Sequence, residues 1–219
     1  MLHLRLHSKL RLAAIIALAV LFCGAGARAD SPRKSKNKGE KKWTELFNGK
    51  DLTGWKMIGK GNFVVEDGAL VSRGGLGLGL LWYEAKTFRD FVLQVEWKVK
   101  TECSNSGIFV RFPEKSDDPW YSVRNGYEIQ IDDCDKKGLK NRTGAIYDLS
   151  AATRVASKPA GEWNLYEISV VGQHYTVVLN GEKVNEFDGE RGREGYIGLQ
   201  AHDPVSSVSF RRVSVREIK

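Results

Sequence analysis

The sequence predicts an all-β domain folded as a sandwich of two antiparallel sheets, and three observations support this prediction. Almost every segment after residue 43 alternates apolar and polar residues, a period of two that is typical of strands with one buried face. Tight-turn dipeptides separate these segments; Asp67-Gly68 and Asn180-Gly181 tolerate the positive φ angles of two-residue hairpins. No segment longer than about ten residues combines a helical period with capping residues. Many short strands joined by tight turns favour a sandwich.

The strands can be followed along the chain. Four segments show the alternation most clearly: FVLQVEWKVK (91–100), YEISVVGQHYTVVLNGEKV (166–184), GYIGLQAHD (195–203) and VSFRRVSVREI (208–218). The second of these contains a reversal at Gly172-Gln173, so it holds two strands rather than one. The segment SAATRVASKPAGEW (150–163) comes nearest to a helix, but Pro159 and Gly161 would end it.

The N-terminal 29 residues have the features of a signal peptide. A basic stretch without acids precedes the apolar run LAAIIALAVLF (12–22), and Ala27-Arg28-Ala29 matches a cleavage site. The apolar run is short for a membrane span. We therefore expect export to the periplasm or the medium, with cleavage after Ala29 and no transmembrane span in the mature protein. Lipidation at Cys23 is the alternative, which the bulky Phe22 before it disfavours.

Charge is concentrated before the domain. Residues 1–29 carry four basic residues and no acid, and residues 30–42 carry six basic residues and two acids, out of a net charge of +7. The linker 30–42 has nothing apolar to bury, so we expect it to be disordered. The remaining residues, 43–219, form one domain whose net charge is −1 on this count. A domain without a basic excess is not expected to bind nucleic acid.

Two cysteines remain after the predicted cleavage, Cys103 and Cys134. An even pair in an oxidising compartment predicts a disulfide. Cys103 precedes the strand-like NSGIFVRF (105–112) and Cys134 follows YEIQI (127–131), so antiparallel pairing of these segments would bring the two cysteines together. No Cys-x-x-Cys spacing suggests a zinc site.

Polar side chains share one face in three of the predicted strands. Arg111 lies on the face opposite Val110 in NSGIFVRF, and Gln200 and His202 are opposite the apolar residues of GYIGLQAHD. Glu128, Gln130 and Asp132 alternate in the same way in YEIQID. If these faces converge on one sheet, they supply charge, hydrogen bonds and a proton carrier. Nearby aromatic residues, among them Trp120 and Tyr147, suit a sugar ring.

The chain resembles the 3-keto-disaccharide hydrolase domain family, also described as 3-keto-glucoside-1,2-lyases or 3-keto-2-hydroxy-glucal hydratases. Successive blocks carry the resemblance in order over about residues 43–218: WTELFNGKDLTGW, VVEDGALV, NSGIFVRF, GYEIQIDD, TGAIYDL, WNLYEISVVGQHYTVVLNGEKV and GYIGLQAHDPVSSVSFRRVSVREI. The resemblance implies a concanavalin/laminin-G-like jelly roll and action on 3-keto sugars.

This chemistry suggests roles for the polar residues. A ketone at C3 acidifies the hydrogen on C2, and its removal leads to expulsion of the C1 glycosidic oxygen. His202 fits the general base, since its ordinary pKa is about 6.5, and Glu128 fits it if desolvated. Arg111 is the expected electrostatic group at the enolate oxygen. The expected substrate-binding residues are Asn105, Gln130, Tyr147, Gln200 and Trp120.

Three alternatives remain open from the sequence. A divalent cation at Asp132, Asp133 or Asp135 could replace Arg111. A direct glycosidase would use Glu128 and Asp132, but fourth neighbours on a strand lie about 13 Å apart, whereas paired glycosidase carboxyls lie about 5–9.5 Å apart. A carbohydrate-binding module without catalysis would use the same polar face, because a fold does not fix a function.

Overall fold

The structure is a computed structural model that describes residues 42–134 and 138–218. The predicted signal peptide (1–29) and linker residues 30–41 lie outside the described residues, as does Asp135. Export and linker disorder therefore remain predictions.

The described residues form thirteen β-strands, one α-helix and one 3₁₀ turn. The strands are β1 (Thr44–Glu45), β2 (Trp55–Gly59), β3 (Asn62–Glu66), β4 (Ala69–Arg73), β5 (Gly79–Tyr83), β6 (Phe91–Val99), β7 (Ser106–Phe112), β8 (Tyr127–Ile131), β9 (Asn164–Val171), β10 (His174–Leu179), β11 (Glu182–Asp188), β12 (Tyr196–Ala201) and β13 (Val208–Glu217). The helix is α1 (Pro119–Asn125), and the 3₁₀ turn spans Leu139–Asn141.

Two antiparallel sheets make up the sandwich. The large sheet has eight strands in the order β11-β10-β9-β6-β13-β4-β3, with β1 paired to β13. The small sheet has five strands in the order β2-β5-β12-β7-β8. This architecture confirms the predicted all-β jelly-roll sandwich. Many neighbouring strands in each sheet are far apart in sequence, so long-range pairing determines the strand order.

The core lies between the two sheets. On β6, every second residue from Phe91 to Val99 is buried, as the alternation predicts. The large sheet contributes Trp97 and Tyr166, whose ring centroids are 5.5 Å apart. The small sheet contributes Ile129, among others, from β8. The opposite face of the small sheet is therefore free to carry other side chains.

The predicted tight turns are present. Asp67 and Gly68 have φ angles of +50° and +73°, and Asn180 and Gly181 have +52° and +86°. Consecutive positive φ angles are the requirement of a two-residue hairpin turn, and Asp, Asn and Gly accept them more readily than other residues. These turns connect β3 to β4 and β10 to β11.

The edge strand of the small sheet, β8, is covered by a loop. Three backbone hydrogen bonds join the loop to β8. The N–H of Gln130 donates to Ala145 O (3.0 Å), the N–H of Gly144 donates to Gln130 O (3.1 Å), and the N–H of Tyr147 donates to Glu128 O (2.9 Å). The loop thus satisfies the edge groups of β8. All five residues of β8 are buried as a result, including those that point away from the core.

The helix α1 is a feature that sequence periodicity misses, because it has only seven residues. Asp118 caps it by accepting from the Trp120 amide at 3.0 Å, and Pro119 occupies its first turn. The helix packs against the outer face of the small sheet, where Val123 contacts an apolar cluster that includes Trp82 and Phe109.

Within the described ranges, no helix has the length and apolar character needed to cross a bilayer.

Cys103 and Cys134 form a disulfide, with their Cα atoms 4.3 Å apart. The bond joins the loop before β7 to the end of β8. It therefore ties together the two strands that run side by side at one edge of the small sheet.

Candidate active site

A cavity of about 290 Å³ opens on the outer face of the small sheet, the face turned away from the core. Strands β8 and β12 form its floor, while α1 and the loops before β7, after β8 and after β12 form its walls. The cavity is lined by Leu78, Asn105, Trp120, Val123, Glu128, Gln130, Tyr147, Gln200 and His202. All the candidate catalytic and substrate-binding residues except Arg111 are therefore brought together.

Arg111 is placed elsewhere by a β-bulge. Tyr196 pairs with Phe112 and the next residue of β12 pairs with Val110, so Arg111 is the extra residue on β7, with a φ of +60°. Its fully buried side chain donates to the carbonyl oxygens of Gly172 and Gly192, both at 3.2 Å.

Arg111 also forms an ion pair with Asp90 at 3.3 Å. These partners bind the Arg111 guanidinium outside the cavity, which Arg111 does not line. The expectation that Arg111 stabilises the enolate oxygen is therefore corrected. Strict alternation predicts that Arg111 lies on the same face of β7 as Phe109. The bulge reverses the faces after Val110, so Phe112 lies on that face instead.

Glu128 is buried at the floor of the cavity and leaves 6% of its surface exposed. Its carboxyl rests over Gly107 on β7, where a Cβ atom would lie 2.2 Å from Glu128 Oε1. A glycine at this position makes room for the carboxyl. Burial raises the pKa of Glu128 to about 8, although the hydrogen bond from Gln200 acts in the opposite direction. At neutral pH the carboxyl is therefore mostly protonated.

One oxygen of Glu128 is held by amide groups. Gln200 Nε2 donates to Glu128 Oε1 at 2.8 Å. With its amide turned so that the nitrogen faces Glu128, Gln130 donates to the same Oε1 and to Ser106 O, both at 3.2 Å. Oε2 has no hydrogen-bond partner among the described residues. The proton of the neutral carboxyl therefore belongs on Oε2.

Two buried acceptors in the cavity are unpaired. Asn105 Oδ1 and Gln200 Oε1 have no hydrogen-bond partner among the described residues, and the two side chains are 9% and 3% exposed. A buried acceptor without a partner costs about 1–3 kcal/mol.

His202 is oriented by a residue that the sequence analysis did not single out. Asp203 Oδ2 contacts His202 Nδ1 at 2.8 Å and accepts from Ser206 Oγ at 3.0 Å. Burial works against ionisation of Asp203, but hydrogen bonds from His202, from Ser206 and from backbone amides outweigh it and lower the pKa of Asp203. An ionised Asp203 favours the proton on Nδ1 of the imidazole and leaves Nε2 as the acceptor.

The same network reaches a second cavity residue. The backbone amide of Asn105 donates to Ser206 Oγ at 2.8 Å, and Ser206 Oγ in turn donates to Asp203. A chain of hydrogen bonds therefore links Asn105 to His202 across 97 positions of sequence. In the sequence, the only sign of this network is that Asp203 directly follows His202 in GYIGLQAHD. Ser206 lies in a loop that carries no motif.

Aromatic side chains stand at the mouth of the cavity. Trp120 on α1 is 53% exposed and Tyr147 on the covering loop is 39% exposed. Half-exposed aromatic rings beside buried polar groups suit a sugar, which presents apolar C–H faces and polar edges. The position of Trp120 depends on the capped helix and that of Tyr147 on its backbone bond to β8.

The acidic residues after β8 lie away from the cavity. Asp132 Oδ1 accepts from the Cys134 amide at 3.1 Å, and Asp133 lines a different cavity beside the disulfide. Glu128 carries the one carboxyl group among the described residues that line the candidate site. In residues 42–134 and 138–218, no group of three or more His, Cys, Asp or Glu side chains is placed to hold a metal ion.

The matching family and the similar solved structures are those of a carbohydrate-active β-sandwich of the glycoside hydrolase type. The profile of the 3-keto-alpha-glucoside-1,2-lyase-like domain matches residues 42–216, so the chain belongs to that family. Among curated proteins, none matches the chain significantly.

Solved structures agree with this assignment. Two proteins from Parabacteroides distasonis ATCC 8503, described as candidate glycosyl hydrolases, share 26% and 28% identity with this chain, with TM-scores of 0.67 and 0.68. Each match covers 81% of this chain, and 94% and 100% of the respective relative. The carbohydrate-binding module CBM66 from Bacillus subtilis, at 15% identity and a TM-score of 0.56 over 75% of this chain and 96% of its own, shares the fold.

Proposed function

We propose that this chain cleaves 3-keto-glycosides by removing the proton on C2, expelling the C1 oxygen and hydrating the product. The observation that carries the proposal is a single cavity that combines an Asp203-oriented His202 with a protonated Glu128. Elimination next to a ketone needs a base and an acid in this arrangement.

The electron bookkeeping of the reaction is simple. A base takes the C2 proton, and the electrons of that C–H bond form an enolate with the C3 carbonyl. The enolate collapses to restore the ketone, the C1–C2 double bond forms, and the C1–O bond breaks. The departing oxygen takes a proton and leaves as an alcohol. Water then adds across the double bond of the 2-hydroxy-glucal, and the net result is hydrolysis.

His202 is the base in this proposal. Its Nδ1 side is occupied by Asp203, so Nε2 is the free acceptor. The imidazolium formed in the first step is also a proton donor for the departing oxygen. Glu128 is a second proton-donating group in the cavity, since its carboxyl is mostly protonated at neutral pH.

A direct two-carboxylate glycosidase is less well supported by these contacts. Such an enzyme needs two carboxyl groups about 5–9.5 Å apart on either side of the bond that breaks. Among the described residues that line the cavity, Glu128 has no second carboxyl group beside it. Asp132 does not line the cavity and accepts from the Cys134 backbone amide instead. The elimination route needs only one acid.

Product analysis in heavy water tests the proposed reaction. With a 3-keto-glucoside as substrate, we expect cleavage with deuterium incorporated at C2 and no turnover of the corresponding plain glucoside. Cleavage without deuterium at C2, or turnover of the plain glucoside alone, would indicate direct hydrolysis. Binding of the 3-keto substrate without any turnover would instead make the chain a carbohydrate-binding module.

We also propose that the protein is exported, on the basis of its N-terminal 29 residues and its disulfide. Intact-mass spectrometry of the exported protein is expected to give the mass of a chain that begins at Asp30. Alkylation of the denatured, unreduced protein should leave Cys103 and Cys134 unlabelled, and reduction should make both reactive. A mature mass that includes the leader, or two reactive thiols before reduction, would contradict this prediction.

A further inference from the structure

We propose that Glu128 recognises the C3 ketone of the sugar through a hydrogen bond donated by Oε2–H. The inference rests on the proposed function, because it assigns the acid of that site to one oxygen of the substrate. It makes Glu128 a reader of the oxidised position rather than the donor to the departing C1 oxygen.

The hydrogen-bonding capacity of the cavity floor carries the inference. Glu128 Oε1 already receives amide N–H groups from Gln200 and Gln130, so Oε1 has little capacity left. The remaining oxygen, Oε2, has no donor within residues 42–134 and 138–218. The floor therefore offers one free donor, the Oε2–H group of Glu128.

A 3-keto-glucosyl ring presents the complementary pattern. Its C2 and C4 hydroxyls donate, and the C3 carbonyl oxygen between them can only accept. An ordinary glucosyl ring has a hydroxyl at C3, whose hydrogen needs an acceptor that Oε1 no longer provides. Leaving that donor unpaired in a buried place costs about 1–3 kcal/mol, which corresponds to about 5- to 150-fold in affinity.

The surroundings of Glu128 keep its carboxyl in the donating form. Gly107 lies beneath it on β7, amides of Gln200 and Gln130 lie beside it, and α1 contributes the uncharged Trp120. The other titratable side chains of the cavity, within the described residues, are His202 and Tyr147. Burial raises the pKa of Glu128 to about 8, so the proton is present below that pH and lost above it.

The test uses a ligand that cannot be cleaved. We compare 1,5-anhydroglucitol with its 3-keto derivative, which lacks a C1 leaving group, by calorimetric titration at pH 6 and pH 9.5. The wild-type protein is expected to prefer the keto ligand by about 10- to 100-fold at pH 6. At pH 9.5 the ionised carboxylate becomes an acceptor and the preference should disappear or reverse. Equal affinity for the two ligands at pH 6 would overturn the inference.

Matched variants separate the donor from the charge. In Glu128→Gln the side-chain amide donates at any pH, so the keto preference should persist at both pH values. In Glu128→Leu the donor is absent, so the preference should be lost at both. Circular dichroism checks that each variant is folded. Loss of the preference at pH 6 in Glu128→Gln, with the fold intact, would count against ketone recognition by this residue.

A third variant assigns the pH effect to Glu128 rather than to His202. In His202→Gln the loss of keto preference at pH 9.5 should remain, because the ionising group is still present. If the preference becomes independent of pH in this variant, His202 is the reader and the inference is overturned.

The outcomes for recognition and for catalysis are distinguishable. If the wild-type protein cleaves 3-keto-glycosides but shows no keto preference in binding, the inference fails while the proposed function stands. If it binds the keto ligand with the expected pH dependence but cleaves nothing, ketone recognition stands and the proposed reaction fails.

Discussion

Replacing His202 with Gln is expected to lower kcat on a 3-keto-glucoside by about 10²- to 10⁴-fold, the usual contribution of a positioned general base. The expected change in KM is small, because the imidazole acts on the C2 proton and the ring hydroxyls are held by other groups. The fold should be preserved, since the His202 side chain is 42% exposed. Steady-state kinetics on purified protein measures the effect.

His174 provides a matched control. It is similarly exposed, at 45%, and contacts two acids, Asp188 and Glu186, on the large sheet away from the cavity. His174→Gln should keep full activity. Asp203→Asn should lower kcat less than His202→Gln and should also shift the pH profile, since Asp203 positions the imidazole without touching substrate. A decrease of less than tenfold in kcat for His202→Gln would remove it from the role of base.

Replacing Arg111 with Ala is expected to reduce the free energy of unfolding by about 3–5 kcal/mol, the order expected when a large buried side chain is removed and its hydrogen-bond partners are left unpaired. The loss has two sources. The carbonyl oxygens of Gly172 and Gly192 lose their donors, and a large, fully buried side chain leaves a void. Urea denaturation measures the change.

The control for Arg111 is an exposed ion pair. Arg154 pairs with Glu182 at 3.4 Å, and 57% of each side chain is exposed, so Arg154→Ala should cost less than about 1 kcal/mol. Folded Arg111→Ala protein is expected to keep kcat within a few-fold of wild type at low temperature. A thousandfold loss of kcat in a protein of unchanged stability would restore Arg111 to catalysis.

Part of the site could be predicted because it depends on alternation within a strand. Glu128 and Gln130 share the outer face of β8, and Gln200 shares that face of β12, as the period of two requires. Arg111 could not be predicted in this way. A single inserted residue on β7 reverses every later side chain, and the bulge is visible only in the pairing with β12.

Other parts of the site depend on long-range contacts. Asp203, Ser206 and Asn105 form one hydrogen-bonded network although Asn105 and Ser206 are 101 positions apart. The cavity wall that carries Trp120 is a seven-residue helix, which is stabilised by its Asp118 cap and by tertiary packing rather than by periodicity. Neither feature leaves a repeated pattern in the sequence.

The sequence by itself determined the all-β class, the tight turns, the family and the polar face that carries Glu128, because these depend on local periodicity, turn chemistry and ordered motifs. The tertiary structure alone decided that Arg111 is structural and that Asp203 orients His202. It also decided that Glu128 holds its proton near neutral pH, since this requires Gly107 beneath the carboxyl and a loop over β8. Burial is a property of the assembled sheets, and no single strand can specify it.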